Sequence, residues 1–332
     1  MIREAQEDGE AFAAEVCWHY YVNGMTQAEI AKRLETTRLR VNQAIQRAKS
    51  LGMVKVQIES PFVARIELQE RLRRELGIER AIVAPARRDE YDYHGAVGAA
   101  LASFMAERLR AKTWRMIGVS WGMTLEAAIR KLPNLVNPDL EIVSMLGGTM
   151  QGASFNSFSI ASGLAARLGA SYSLLAAPIF LSEGVDRDVF LSQKIFADHF
   201  RKFEALDAAI LTASDISDRS YLVANGLPQE YSAADITNAG AIGDVLGRFL
   251  DEKGQPIAHA LDRRTIGVDL DVVERTPEKI MAAAGQHKVG IIRAASRRGL
   301  IDTLITDDVT AELLLKAGDD TVADATRKRR AG

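Results

Sequence analysis

Between Glu10 and Asn23 the apolar side chains Phe12, Val16 and Tyr20 return every four positions, the spacing of one helical face, and Asn23-Gly24 supplies residues that accept a left-handed helix end. Thr26 then stands at an N-cap position with Glu29 three residues on, the two halves of a capping box, and Ile30 and Leu34 give a short second helix its inward face. Glu35-Thr36 makes a tight turn, and Thr37 can cap a third helix from which Leu39 (or Val41), Ile45 and Ala48 point inward. Arg38, Arg40, Asn42, Gln43, Gln46 and Arg47 are left facing outward. Leu51-Gly52-Met53 closes this helix, and the alternation in Val54-Lys55-Val56-Gln57-Ile58 predicts a strand, the wing of a helix-turn-helix.

Glu59-Ser60-Pro61 interrupts that strand and marks a boundary, because proline resists its continuation. Beyond it Ile66, Leu68, Leu72 and Leu76, set among charged residues and closed by Gly77, predict an amphipathic helix that pairs with a copy of itself or packs on its own domain. From Ala81 the pattern changes to short apolar runs alternating with helices. Strands are expected at 81–85, 116–119, 141–145, 172–175, 208–211 and 304–306, and helices at 93–110, 123–131, 158–168 and 190–204. Such alternation predicts a parallel, Rossmann-like α/β domain. The expected organisation is therefore a winged helix-turn-helix over 1–59, an α/β domain over 60–318 and a basic tail over 319–332 ending in Arg327-Lys328-Arg329-Arg330.

Charge sharpens the reading of the first unit. The chain carries a net charge of -2, yet residues 25–55 hold seven Lys or Arg against two acids, +5, leaving -7 for the remainder. A nucleic-acid surface is thus confined to this segment. A helix of this kind fits the major groove, where arginine reads guanine, Asn or Gln reads adenine, and other cations neutralise phosphates. Thr26 and Gln27, at the start of the second helix, are placed for a backbone phosphate, and Thr37, Arg38, Arg40, Asn42, Gln43 and Arg47 for the duplex. The partner expected is an operator in double-stranded DNA.

Other classes of function find little support. Cys17 is the only cysteine, so an intrachain disulfide or a thiolate zinc cluster within the chain is excluded. No apolar run reaches the roughly 18 residues of a membrane span and no signal-peptide pattern opens the chain, so a cytoplasmic location without membrane association is expected. The five histidines lack metal-ligand spacing, and no P-loop or G-x-G-x-x-G stretch occurs. No catalytic residue, metal or cofactor is expected.

A small molecule would sit beyond the carboxyl ends of the strands, where helix N-termini present free N–H groups. Three places qualify: Ser120-Trp121-Gly122-Met123-Thr124; Gly147-Gly148-Thr149 with Asn156; and Asp244 together with Lys288, which offer an acceptor for hydroxyls and a cation for an anionic group.

YYVNGMTQAEIAKRL, GVSWGMTLEAA, the AP of LLAAPIF, NAGAIGDVLGRFLDEKG and LIDTLITDDVTAELLL occur in that order, and with them the chain resembles the SorC (DeoR-like) family of sugar-binding transcriptional regulators from about Tyr20 to Leu315. The resemblance implies an effector domain like the sugar-phosphate isomerase and CoA-transferase fold, assembly into dimers or tetramers, and a phosphate cradled by Ser120, Trp121, Gly122, Met123 and Thr124. Gly147, Asn156, Asp244 and Lys288 would line the same pocket. Leu146 stands where some relatives that bind phosphorylated sugars place an arginine, which argues against a second phosphate. Ala284-Gly285 and Thr212-Ala213-Ser214-Asp215 replace glycine-rich stretches, while Trp121 and Met123 narrow the loop. The expected effector is a short polyol or its monophosphate, of the kind an erythritol catabolism regulator would sense, and the expected function is a repressor of a carbohydrate or polyol operon. The rival reading is a sugar-phosphate isomerase with a fused DNA-binding arm, for which Asp244 is the one obvious general base.

Overall fold

The first helix, Ile2–Cys17, runs into a wider π-helical turn over Trp18–Val22, in which the Asn23 N–H reaches back to the Trp18 carbonyl at 3.2 Å. Gly24 then reverses the chain at φ +65°. The second helix is Gln27–Arg33 and the third Arg38–Ser50, separated by Glu35 in the left-handed region at φ 47°. Thr26 and Glu29 form the capping box, and the Thr37 hydroxyl accepts the Arg40 N–H at 3.2 Å. Ala13, Val16, Ile30, Val41, Ala44, Ile45 and Ala48 make the small core between the three helices. Val41, not Leu39, takes the inward position: Val41 is fully buried, whereas Leu39 is 66% exposed.

This is a computed structural model, and it describes residues 2–54, 60, 62–89, 91–149 and 154–318, the side chains from residue 9 onward. The chain divides into two compact units, Met1–Val63 and Ala64–Gly332. The expected wing over 54–58, apart from Val54, lies outside the described residues, as do the basic tail and most of the expected boundary at 59–61.

In the second unit seven strands form one parallel sheet: β1 (Arg80–Ala84), β2 (Met116–Val119), β3 (Glu141–Ser144), β4 (Ser171–Ser173), β5 (Ala208–Leu211), β8 (Glu278–Ala282) and β9 (Thr303–Asp307), in the order β1-β9-β8-β5-β2-β3-β4. β6 (Gly243–Val245) and β7 (Arg248–Leu250) pair separately as a short antiparallel hairpin. Neighbouring residues of a strand enter opposite apolar layers: Ile82, Ile142 and Ile210 face one, Val83, Val143 and Leu211 the other. Both faces are therefore covered, as a parallel sheet requires. Helices Tyr93–Arg110, Met123–Lys131 and Ser157–Leu168 lie in the first layer, and Val289–Arg297 in the second.

The helix expected after residue 62 runs Val63–Leu76 and buries Leu72, while Ile66, expected on its apolar face, is 56% exposed. The helix expected over 190–204 is two, Arg187–Leu191 and Lys194–Phe203. From β2 the chain steps outward to β3 and β4, then returns to β5 on the other side of β2 and continues to β8 and β9. The strand order thus reverses between β2 and β5, and a crevice opens above that point.

Candidate functional site

The basic face of the first unit forms as expected. On the helix Arg38–Ser50 the residues Val41, Ala44, Ile45 and Ala48 are buried, and Arg38, Arg40, Gln43, Gln46 and Arg47 are exposed, with Asn42 half-buried. The Arg40 guanidinium lies 4.8 Å from the Phe12 ring centroid, a cation–π contact that fixes where the charge is held. Thr37 and Thr26 are both exposed, and Gln27 is half-buried. The Thr26 hydroxyl donates to Glu29 Oε2 at 2.8 Å, and the Thr26 N–H donates to the same oxygen at 2.7 Å. These bonds hold the Glu29 carboxyl below its ordinary range.

In the second unit a pocket opens at the sheet's reversal point. It collects the turn after β2 (Trp121, Gly122, Met123, Thr124), the loop after β5 (Thr212 to Asp215), Asp244 of β6, and the turn after β8 (His287, Lys288). Tyr93, His94, Phe155, Arg219 and Tyr221 complete its wall. The empty space, counted together with the open solvent at its mouth, is about 640 Å³.

Local chemistry explains each placement. Gly122, at φ +119°, turns the chain from β2 into the helix Met123–Lys131, whose first N–H groups have no partner within the helix. The Gly122 N–H donates to the Phe155 carbonyl at 2.8 Å, and Thr212 Oγ1 donates to the Trp121 carbonyl at 2.6 Å. Trp121 is 7% exposed and meets Tyr221 edge-on at 5.5 Å, which makes it a wall of the pocket.

Asp244 is 3% exposed; its Oδ2 accepts the Gly247 N–H at 3.1 Å, and Oδ1 is buried with no hydrogen-bond partner among the described residues. Burial pushes its carboxyl up to about 7. Lys288 is 8% exposed, with its ammonium 5.7 Å from the Tyr93 ring centroid, and burial pulls it down to about 8 against the opposing pull of Asp215 and Asp244. His94 shares a 2.9 Å hydrogen bond between Nδ1 and Thr124 Oγ1, while its Nε2 is buried without a partner among the described residues. Burial, reinforced by the positive charge of Lys288, takes the imidazole down to about 4, so it is neutral at neutral pH. The pocket therefore presents a buried carboxyl oxygen, a neutral imidazole nitrogen and an ammonium, a set matched to hydroxyl groups beside an anionic one.

Trp121, Gly122, Met123, Thr124, Asp244 and Lys288 converge as expected, but Ser120, Gly147 and Asn156 do not line the pocket. Ser120 lies beneath it, 1% exposed, with its hydroxyl 3.4 Å from Thr212 Oγ1. Gly147 is a packing glycine: its N–H donates to the Ile266 carbonyl, and a Cβ there would come within 2.6 Å of the Pro178 carbonyl oxygen. Asn156 caps the helix Ser157–Leu168 by accepting the Ser159 N–H at 2.8 Å. His94, Tyr93 and Tyr221 were missed by sequence reasoning. The available signal was Asp92, whose side chain caps the helix Tyr93–Arg110 and so puts Tyr93 and His94 in the first turn at the sheet's carboxyl edge.

The Sugar-bind family model, a sugar-binding domain, matches residues 60–316. The erythritol catabolism regulatory protein EryD of Brucella abortus is 31% identical over 307 residues, 92% of this chain and 96% of that protein. The transcriptional regulator LsrR of Escherichia coli K12 is 27% identical over 312 residues, 93% of this chain and 95% of its own. The full-length sorbitol operon regulator SorC of Klebsiella pneumoniae shares the fold at a TM-score of 0.70 and 23% identity, covering 93% of this chain and 99% of that one. These relatives are regulators rather than enzymes, so the isomerase alternative is set aside. With that pocket in a matched sugar-binding domain behind a helix-turn-helix, the chain belongs to the SorC family of sugar-binding transcriptional regulators.

Proposed function

We propose that this regulator represses an operon for polyol or carbohydrate breakdown and is released from its operator by a short polyol or its monophosphate. One observation carries the ligand class: Asp244 Oδ1 and His94 Nε2 are buried polar atoms without partners among the described residues, on a wall shared with the Lys288 ammonium. Unpartnered buried polar atoms are costly, and ligand hydroxyls would remove that cost. An anionic end of the ligand would meet Lys288 and the N-terminus of the helix Met123–Lys131. The 31% identity to a regulator of erythritol catabolism supports a four-carbon polyol as the scale of the ligand.

In this reading residues 1–59 hold the operator through Thr26, Gln27, Thr37, Arg38, Arg40, Asn42, Gln43 and Arg47, and residues 60–318 hold the effector. A homodimer or tetramer would address paired half-sites. Release requires only that the effector favour one arrangement of the protein over another.

Thermal melting of the full chain against short polyols, aldoses and their monophosphates tests the reading. A ligand at a hundred times its dissociation constant should stabilise the protein by about 2.7 kcal/mol. Lys288→Met should abolish that stabilisation and leave retention of DNA from the gene's own upstream region intact, while Arg40→Ala should do the reverse. A protein that neither retains that DNA nor responds to any of these compounds refutes the proposal.

A further inference from the structure

Leu39 is an anomaly in the first unit. Its neighbours on the helix Arg38–Ser50 sort cleanly, apolar residues inward and polar residues outward, yet this leucine is 66% exposed. At about 100° per residue, the buried set Val41, Ala44, Ile45 and Ala48 defines one direction from the helix axis, and Leu39 lies within about 10° of its opposite. Gln43 and Gln46 lie about 30° to either side of that outward line, while Arg38, Arg40 and Arg47 stand roughly 70–110° from it, on the flanks. Arg40 is turned back toward the first helix, over Phe12.

The arrangement has the cross-section of a groove reader: cations at the margins where the phosphate rails run, and uncharged side chains on the ridge that faces the base edges. The ridge begins with Leu39 in the first turn, the end of a recognition helix that meets the bases. The apolar feature of the major-groove edge is the 5-methyl group of thymine.

We propose that Leu39 is a base-reading residue that docks on a thymine methyl group, with Gln43 and Gln46 reading the neighbouring base edges. The inference rests on the reading of the first unit as a DNA-binding unit and assigns its sequence preference. An exposed leucine there loses apolar surface to water when the protein is free and buries it on the cognate site.

The test is selection of binding sites from a random duplex library by the full chain, by Leu39→Ala and by Leu39→Gln, followed by titration of the selected duplex with thymine replaced by deoxyuridine one position at a time. Substitution at so exposed a position leaves the core intact, which a melting curve verifies. For the parent protein, one thymine per half-site should be selected, and loss of its methyl should weaken binding about fourfold, the effect expected for burying one methyl-sized group. Both Leu39 variants should lose that preference and bind thymine and deoxyuridine duplexes equally. If the variants select the same sites with the same methyl dependence as the parent, the assignment to Leu39 is wrong while DNA binding stands. If the parent enriches no sequence, the DNA-binding reading falls and this inference with it. Sedimentation of Leu39→Gln as a smaller assembly than the parent would place Leu39 in an interface between copies and overturn the proposal.

Discussion

Arg293 and Glu75, 218 residues apart in the chain, meet at 3.0 Å between Nη2 and Oε1. Arg293 also donates to the Leu314 carbonyl at 2.8 Å, and Ser296 donates to the Leu76 carbonyl at 2.6 Å. These bonds fasten the end of the helix Val63–Leu76 to the helix Val289–Arg297, which begins immediately after the pocket residue Lys288. The Arg293 side chain is only 13% exposed, so its hydrogen bonds are poorly replaced by water. Arg293→Ala should cost about 1–3 kcal/mol, seen as a lowered midpoint in thermal unfolding. An unchanged midpoint would mean that solvent compensates the lost bonds.

Stability should vary with pH in opposite senses on the two sides of neutrality. Burial raises Asp244 from 3.8 to about 7, so the folded chain keeps a proton that the unfolded chain has released. That contribution is complete below about 3.8 and is lost as pH rises toward 7. Lys288, lowered from 10.5 to about 8, works the other way: the folded chain gives up its proton first, and stability is gained as pH rises from about 8 to about 10.5. Between these limbs lies a trough. Asp244→Asn should remove the falling limb and Lys288→Met the rising one, each measured as the difference from the parent in denaturant unfolding at pH 5, 7.5 and 9.5. At pH 7.5 the Asn variant should be more stable than the parent, and the two substitutions should not add, because the groups interact.

Much of this architecture was legible because local signals and burial agree. Helices Tyr93–Arg110 and Met123–Lys131 fall on their expected limits, and the Thr26 to Glu29 capping box is present. Sequence reasoning failed where tertiary context decided. β8 opens with Glu278 and Lys279, which look like solvent residues until Glu278 is seen to accept from Trp114 Nε1 at 2.9 Å and Lys279 to pair with Asp302 at 2.9 Å. Leu39 and Val41 could not be separated by apolarity alone, since their difference is the direction each takes from the helix axis. In the pocket, Asp244 and Lys288 stand out by charge, whereas His94 has no metal-ligand partner at a suitable spacing in the sequence and nothing else there marks it. Gly147 and Asn156 sat in the right segments but serve packing and capping.

Arg47→Ala and Gln43→Ala should affect DNA binding differently. Arg47 stands on the flank of the helix Arg38–Ser50 and is exposed. Its loss should weaken binding to all duplexes alike and reduce the slope of log affinity against log salt by about 1. Gln43, on the outward ridge, should leave that slope unchanged and relax the preference at one base pair. Fluorescence anisotropy at several salt concentrations, on cognate and scrambled duplexes, separates the two; a change of slope for Gln43→Ala would move that residue to the phosphate rail.

Gly122 ties backbone geometry to ligand binding. At φ +119° a side chain is strained, although the nearest atom a Cβ would meet is Thr212 Oγ1 at 3.5 Å, so space is not the obstacle. Gly122→Ala must either hold this conformation, at about 1–3 kcal/mol, or relax it and give up the 2.8 Å bond from its N–H to the Phe155 carbonyl. Relaxation would also turn the first N–H groups of the helix Met123–Lys131 away from their present direction, and Met123 and Thr124 line the pocket. The variant should therefore lose most of the thermal stabilisation produced by a monophosphorylated polyol, and less of that produced by the neutral polyol, because the helix N-terminus acts on the anionic end. DNA affinity without effector should stay within about twofold, because Gly122 belongs to the second unit and the DNA-contacting residues to the first. Equal loss for both compounds would show that the glycine shapes the whole pocket rather than an anion seat.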